Sequence, residues 1–209
     1  MKDMVTMVLS LIIFATVACV GLAFVYDGTK DQIALNKTEK LTKALSQIFS
    51  GAEFTEAQGN IASDGVSFGT SEFKPAYTAS RDGKIVGIAL IVSKTGFSDI
   101  VTALVGVGSD GKIAGVRILQ NTDTPGLGAN ASSPAYFIDK PKNTTTFFGQ
   151  FKGMSVNTPI KVRQDGGDVT AITAATITSR VVALLVDRAA KAGSVWLSEN
   201  GITGNGGAK

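Results

Sequence analysis

Hydrophobic residues fill the first part of the chain without interruption and then break into short alternating runs. That change of period divides the protein. Residues 4–26, MVTMVLSLIIFATVACVGLAFVY, carry no charged side chain. At ~1.5 Å rise per residue a helix of this length covers about 35 Å, enough to cross a bilayer with some tilt. A cleaved signal peptide has a shorter apolar core followed by a small-residue processing site. Thr-Val-Ala-Cys at 16–19 faintly resembles a lipoprotein site, but the run stays apolar beyond Cys19 and Asp3 precedes it. The pattern therefore predicts an uncleaved single-pass anchor over 4–26, embedded in membrane lipid, behind a short tail at 1–3. Lys2 on one side and Lys30, Lys37, Lys40 and Lys43 on the other slightly favour a cytoplasmic body. Long translocated domains often disregard such counts, so charge leaves the side open.

Residues 27–52 form the next unit, a stalk. Within 29–50 Leu41, Ala44, Leu45, Ile48 and Phe49 recur at i, i+3, i+4, i+7 and i+8, which predicts an amphipathic helix that docks on the domain beyond it. Two Asp-Gly pairs come next, Arg81-Asp-Gly-Lys84 and Ser109-Asp-Gly-Lys112, each leading into an apolar run, IVGIALI and IAGVRIL. Asp-Gly between apolar segments marks a hairpin, so consecutive hairpins of one antiparallel sheet are expected, joined by Gly96-Phe97-Ser98-Asp99-Ile100. In Asn121-Thr-Asp-Thr-Pro-Gly-Leu-Gly128, Pro125-Gly126 favours a type II turn and Gly128 permits a second unusual backbone angle. The polar stretch 143–153 closes on Phe147, Phe148 and Phe151 and reads as a surface helix or loop capped by aromatics; IKVR at 160–163 alternates and reads as a strand. After a Gly166-Gly167 turn, a helix is expected from Thr178 or Ser179 to about Leu197, with Val181, Leu184, Leu185, Arg188, Ala189, Ala192 and Trp196 on its inner stripe. Strands first and a helix afterwards make residues 53–200 an α+β domain with a mainly antiparallel sheet and flanking helices. A glycine-rich, loose tail occupies 201–209.

Composition narrows the chemistry mostly by what is missing. Apolar residues at 44% and charged residues at 18% allow a core of ordinary size. A net charge of +3 with scattered lysines gives no reason to expect nucleic acid. There is no histidine, hence no imidazole base and no histidine-ligated metal, and Cys19 alone cannot hold an iron–sulfur cluster or close a disulfide. No catalytic side chain and no resident metal are expected. Redox work would need an organic cofactor. Hydrolysis would need carboxylates, for which Asp165 and Asp168 beside Gly166-Gly167 are the candidates, although such clusters are far more often solvated turns.

The densest chemistry lies in TAITAATITSR at 170–180. Five hydroxyl side chains, Thr170, Thr173, Thr176, Thr178 and Ser179, crowd around the small Ala174 and Ala175 just ahead of VVALLV. One reading is helix capping, worth about 1 kcal/mol for a single hydroxyl. The other is phosphate binding, since a helix amino end offers unpaired N–H groups and small side chains allow close approach. The residues by themselves leave both open.

This segment resembles the flavinylation motif of the RnfG/NqrC family of membrane-bound electron-transport subunits, (S/T)-G-A-T followed by x-T-S. Thr173-Ala174-Ala175-Thr176 and Ile177-Thr178-Ser179 match it, with Ala174 where the family has glycine, and with Thr170 where an aspartate is usual (Asp168 lies two residues earlier). Thr124-Pro125-Gly126-Leu127-Gly128 is similar to the family's E-T-P-G-L-G loop, Asp123 standing for the glutamate, and Gly96 to Ile100 to its G-(Y/F)-x-x-I element. The single anchor, the Asp-Gly-Lys-Ile turn and Phe151-Lys-Gly153 follow in the family's order, so the likeness covers nearly the whole chain. TITSR followed by VV is closer to the Rnf branch.

The resemblance implies an electron-transfer subunit of an ion-translocating ferredoxin:NAD+ oxidoreductase that completes no reaction alone. It implies FMN joined through its phosphate to Thr176 by an external flavin transferase, in a domain outside the cytoplasm and among the other membrane subunits of an Rnf complex. It further implies a phosphate end held by Thr173, Ala174, Ala175, Thr176 and Thr178. Thr124, Pro125, Gly126, Leu127 and Gly128 would lie against the flavin, with Leu127 packed on it. The alternatives are the C subunit of a sodium-pumping NADH:quinone reductase, or an anchored binding or scaffold domain without flavin.

Overall fold

The computed structural model describes residues 2–58, 61, 65–70 and 74–202. The chain divides into two units, 1–42 and 43–209. One helix, α1 (Lys2–Ile48), makes up the first and runs into the second without a break between the anchor and the stalk. Its side chains from residue 3 to residue 36 are exposed, including Phe14 and Phe24. It is the one helix among the described residues long and apolar enough to cross a membrane, by length and composition. The glycine-rich tail lies, from residue 203 onward, outside the described residues.

The second unit is built on six strands: β1 (Glu53–Glu56), β2 (Ser67–Phe68), β3 (Ala76–Arg81), β4 (Lys84–Thr95), β5 (Ile100–Gly108) and β6 (Ile113–Gln120). Their order is β1-β3-β4-β5-β6, with β2 also pairing β4, and every strand pairing is antiparallel. Both Asp-Gly pairs turn hairpins, by different geometry. Arg81 pairs with Lys84, and Asp82 and Gly83 take φ 51° and 74°, the two positive angles of a type I′ turn. The second loop is longer. Gly108 N–H donates to Lys112 O at 2.8 Å and only Gly111 is left-handed, at φ 73°. The 96–100 connection between β4 and β5 is closed by Gly96 N–H to Asp99 O at 2.7 Å.

Alternation along the strands separates two apolar faces. On one, Ile88, Leu90 and Val92 of β4 join Ala103, Val105 and Val107 of β5 in a core shared with the final helix, α2 (Thr176–Glu199). That helix sits close to the sheet because position 193 is glycine. A Cβ there would stand 2.8 Å from Val107 Cγ2 and 2.9 Å from Leu90 Cδ1. The inner stripe of α2 is Val182, Leu185, Val186, Ala189, Ala190, Gly193 and Trp196, rotated from the expected one so that Val181, Leu184 and Ala192 are half-buried. Trp196 Nε1 donates to Gln58 O at 3.0 Å and pins the far end.

The opposite face carries glycines where the chain leaves α1. Gly87, Gly106 and Gly115 lie on three neighbouring strands, and Ile48 and Phe49 sit against them: a Cβ on Gly106 would be 2.3 Å from Ile48 Cγ2, and one on Gly87 2.7 Å from the Phe49 ring. Arg117 Nε donates to Gln47 Oε1 at 2.8 Å beside them. The amphipathic stripe thus reaches its target through a lane of missing side chains.

Two expected elements differ. Residues 160–163 alternate in burial but form no strand. Ile160 N–H donates to Asp187 Oδ1 at 3.1 Å instead of to a ladder, Val162 makes only an isolated bridge to Val169, and a 3-10 turn (Arg163–Asp165) comes at once after it. The aromatics near 150 are core rather than a surface cap. Phe147 and Phe151 are fully buried and meet edge to face, 5.8 Å between centroids at 89°, while Phe148 lies under Arg117.

The glycine lane makes a graded prediction. Gly106→Ala should cost about 1–3 kcal/mol in denaturant unfolding, because backbone and Ile48 must both move. Gly115→Ala, whose Cβ would stand 3.4 Å from Ile48 Cγ1, should cost less than about 1 kcal/mol. Equal costs at the two positions would contradict this packing.

Candidate functional site

Two turns of similar construction face each other across one cavity. The first is Thr124 to Leu127, closed by Leu127 N–H to Thr124 O at 3.1 Å, with Gly126 at φ 80° in the third position as a type II turn requires. Asn130 Nδ2 braces it through Gly126 O at 2.7 Å, and Asn121 Nδ2 through Gly128 O at 2.8 Å. Gly128 is not left-handed, contrary to expectation. It is glycine for space: a Cβ would lie 2.5 Å from Asp123 Oδ2 and 2.7 Å from Thr178 Oγ1.

The second turn is Ile172 to Ala175, closed by Ala175 N–H to Ile172 O at 3.0 Å. Its third residue, Ala174, has φ 60°, a left-handed alanine at the position that favours glycine. Ser179, fully buried, locks this turn to α2 by accepting Ile172 N–H and donating to Ala175 O, each at 2.9 Å. Gln150 holds Thr170 through both backbone groups, at 2.8 and 3.1 Å, and Tyr136 Oη accepts Thr173 N–H at 3.4 Å.

This geometry decides between the two uses of the hydroxyls. The residue before α2 is Ala175, at φ −134° and ψ 45°, and no side chain caps the helix. The helix also starts at Thr176, two or three residues earlier than the expected Thr178 or Ser179, because no capping hydroxyl marks the boundary. The first i→i−4 bond is Ser179 N–H to Ala175 O at 3.0 Å, so the amides of Thr176, Ile177 and Thr178 precede the ladder. Thr178 spends its hydroxyl on Asp123 Oδ2, at 2.6 Å, while Thr176 makes no side-chain hydrogen bond among the described residues. Capping does not account for the cluster. Two of its hydroxyls, Thr178 and Ser179, are structural links, and of the other three only Thr176 lines the cavity described next.

Between the turns lies a cavity of about 360 Å3, within the range ordinary for small-molecule sites. It is lined by Thr124, Leu127 and Gly128 from the first turn, and by Ala174, Ala175, Thr176 and Thr178 from the second. Thr173, Pro125 and Gly126 shape the turns without lining it. Phe97, Asp123 and Ile177 also line it and were not among the expected site residues; all three stood inside the family-like motifs, which was the available signal. Phe97, Leu127 and Ile177 are 68%, 40% and 51% exposed, an apolar rim that water alone would not favour.

A second cavity, of about 370 Å3, lies along another side of α2 and includes Lys161, Asp165, Arg180 and Asp187. Asp165 is held by both Arg180 Nε and Nη2, at 2.8 and 2.7 Å, which keeps its carboxyl below the usual range. Asp168 does not line this cavity. A general acid needs a raised pKa and Asp165 is shifted the other way, so Asp165 does not fill that role.

Comparison with known proteins agrees with this layout. Residues 96–191 match the family model of the FMN-binding domain, and residues 1–48 match that of the RnfG N-terminal region. The G subunit of the ion-translocating oxidoreductase complex of Aliivibrio fischeri is 31% identical over 185 residues, covering 87% of this chain and 86% of that one. Its counterpart in Shewanella oneidensis is 33% identical over 177 residues, covering 82% and 81%. The chain belongs to the G-subunit family of ion-translocating oxidoreductase complexes. Among solved structures, the C subunit of the Na(+)-translocating NADH-quinone reductase from Parabacteroides distasonis is similar at TM-score 0.45 and 23% identity, covering 62% of this chain and 63% of that one. In this G-subunit family member both cavity walls, and Phe97 between them, fall inside the matched FMN-binding domain.

Two measurements test these arrangements. Ala174→Gly removes the strain of a left-handed Cβ, about 1–2 kcal/mol, and loosens the unfolded chain, so a net gain of about 0.5–1 kcal/mol in unfolding free energy is expected. Asp165, with its pKa lowered mainly by the Arg180 hydrogen bonds, adds stability above the unfolded carboxylate pKa of about 3.9, and that stability is lost as pH falls through the folded value. Asp165→Asn should therefore be less stable than the parent at neutral pH, with the gap closing below about pH 4.

Proposed function

We propose that this chain is an electron-relay subunit of a membrane-bound Rnf complex, an ion-translocating ferredoxin:NAD+ oxidoreductase, and that it carries FMN esterified through its phosphate to Thr176 Oγ1. One observation carries the proposal. Thr176, a cavity-lining hydroxyl that makes no hydrogen bond among the described residues, stands in the first turn of α2 where the helix has no side-chain cap, with the apolar side chains of Phe97, Leu127 and Ile177 lining the same cavity.

The chain's own residues divide the work of holding such a group. The amides at the start of α2, with roughly half a positive charge, suit a phosphodiester bearing one negative charge. Phe97, Leu127 and Ile177 offer apolar surface for a ring and keep water from it. Among the described residues no lysine or arginine lines the cavity, so a freely dissociating phosphate would be held without a cationic side chain. A covalent ester removes that weakness. FMN bound there would supply the reversible electron transfer that no side chain of this sequence provides.

Thr176 is not its own catalyst. No base is hydrogen-bonded to it, so attachment requires an external, metal-dependent flavin transferase. Exposure of the Ala174 and Thr173 turn at the surface suits access by such an enzyme. The anchor in α1 would keep the relay at the membrane beside its partner subunits, with the flavin domain on the extracytoplasmic side.

Intact-mass measurement of protein made with the transferase should show an addition equal to FMN less one water, localised to the peptide containing Thr176. Thr176→Ala should abolish both that mass and the fluorescence of the denatured band, while Thr173→Ala, outside the cavity, should retain them. Fluorescence that persists in Thr176→Ala would refute the attachment site.

A further inference from the structure

We infer that Asp123 lowers the reduction potential of a flavin held in this cavity, acting as a fixed negative charge in its wall; the inference rests on the proposed attachment at Thr176. Among the described residues Asp123 is the only charged side chain that lines the cavity, and it is only 5% exposed. Its two oxygens accept from neutral donors, Ser98 N–H at 3.0 Å and Thr178 Oγ1 at 2.6 Å, so its charge is held in place without being cancelled by a cation. Gly128 closes against it. A Cβ there would touch both Asp123 and Thr178, so the carboxylate occupies the space that any side chain at 128 would need.

This side chain also joins the three segments that make the cavity. Ser98 belongs to the connection between β4 and β5, Asp123 to the loop after β6, and Thr178 to the first turn of α2. A charge gripped at that junction is part of the cavity rather than a mobile surface group. Buried charges interact through a lower effective dielectric and are screened less by salt than exposed ones.

The sign comes from the electron balance. Two electrons and one proton added to the ring leave it one unit more negative. A carboxylate in the wall opposes that added charge and makes reduction less favourable. The positive end of α2 acts alike on the parent and on a variant at position 123, so the difference between them isolates the carboxylate. Asp123 is thus a positioning and tuning residue: it exchanges neither electrons nor protons with the cofactor.

The test uses the full chain, produced with a flavin transferase and titrated anaerobically with dithionite against a reference dye. Asp123→Asn should make two-electron reduction at least tenfold more favourable, an upward shift of about 30 mV or more for a two-electron couple. Asp123→Glu, which keeps the charge, should stay nearer the parent than the amide variant does. Asp165→Asn, which removes an exposed carboxylate outside this cavity, should leave the potential unchanged. If the amide variant does not fold, Asp123→Ser removes the charge with a smaller polar side chain and carries the same expectation. A flavinylated, uncharged variant with the parent potential overturns the inference. So does failure of both uncharged variants to take up flavin, because the carboxylate would then be structural. A parent chain that gains no FMN mass instead overturns the attachment reading, by a separate observation.

Discussion

The first turn of α2 begins without a side-chain cap, and the rest of the site depends on how the fold tolerates that. Three amides stand ahead of the first helical hydrogen bond, and the hydroxyls of Thr178 and Ser179 are used elsewhere. Ser179 reaches back to the 172–175 turn and Thr178 reaches across to Asp123. Those two links do structurally what a cap does, fixing where the helix starts, while leaving the donors open. A capped terminus would be more stable by about 1 kcal/mol and of no use to an anion. The concession is local, and the sheet behind it makes it tolerable.

Position matters as much as polarity. The amino end of α2 is aimed by a close approach between helix and sheet that Gly193 permits, and Trp196 fixes the other end. Across the sheet, Gly87, Gly106 and Gly115 admit Ile48 and Phe49. Glycine thus serves both faces of one sheet for one physical reason, the removal of a Cβ where two backbones must come close. The loop that carries Leu127 obeys the same logic at Gly128, where the contact is with the Asp123 carboxylate.

What the sequence made legible was whatever local chemistry determines. The Asp-Gly hairpins, the Pro-Gly turn and the α+β class all arise from short-range preferences, and the sheet has them. The two motifs on either side of the cavity were readable as motifs, but not as neighbours. Residues 160–163 misled because burial alternates there for a tertiary reason, with the backbone bonding to Asp187 rather than to a strand. Phe147 and Phe151 misled because their polar neighbours suggested a surface, whereas packing decides burial. The start of α2 was misplaced because the usual marker, a capping hydroxyl, is absent. Asp123 was visible only as a substitution inside a motif, since its contacts with Ser98 and Thr178 are set by the fold.

Ala174 shows how the site departs from its own best solution. A left-handed backbone at that point is demanded by the turn, whatever the residue, because Ser179 fixes both Ile172 and Ala175. Glycine would adopt it freely; alanine adopts it under strain. The turn persists because the buried Ser179 links over-determine it, so the strain is carried by the same bonds that leave the helix uncapped. A methyl group there also narrows the approach to Thr176 from the side on which Ala174 lines the cavity. Geometry that could have been obtained by a flexible residue is imposed by the framework instead, and it leaves the Thr176 hydroxyl in the cavity wall with no hydrogen bond among the described residues for a modification to break.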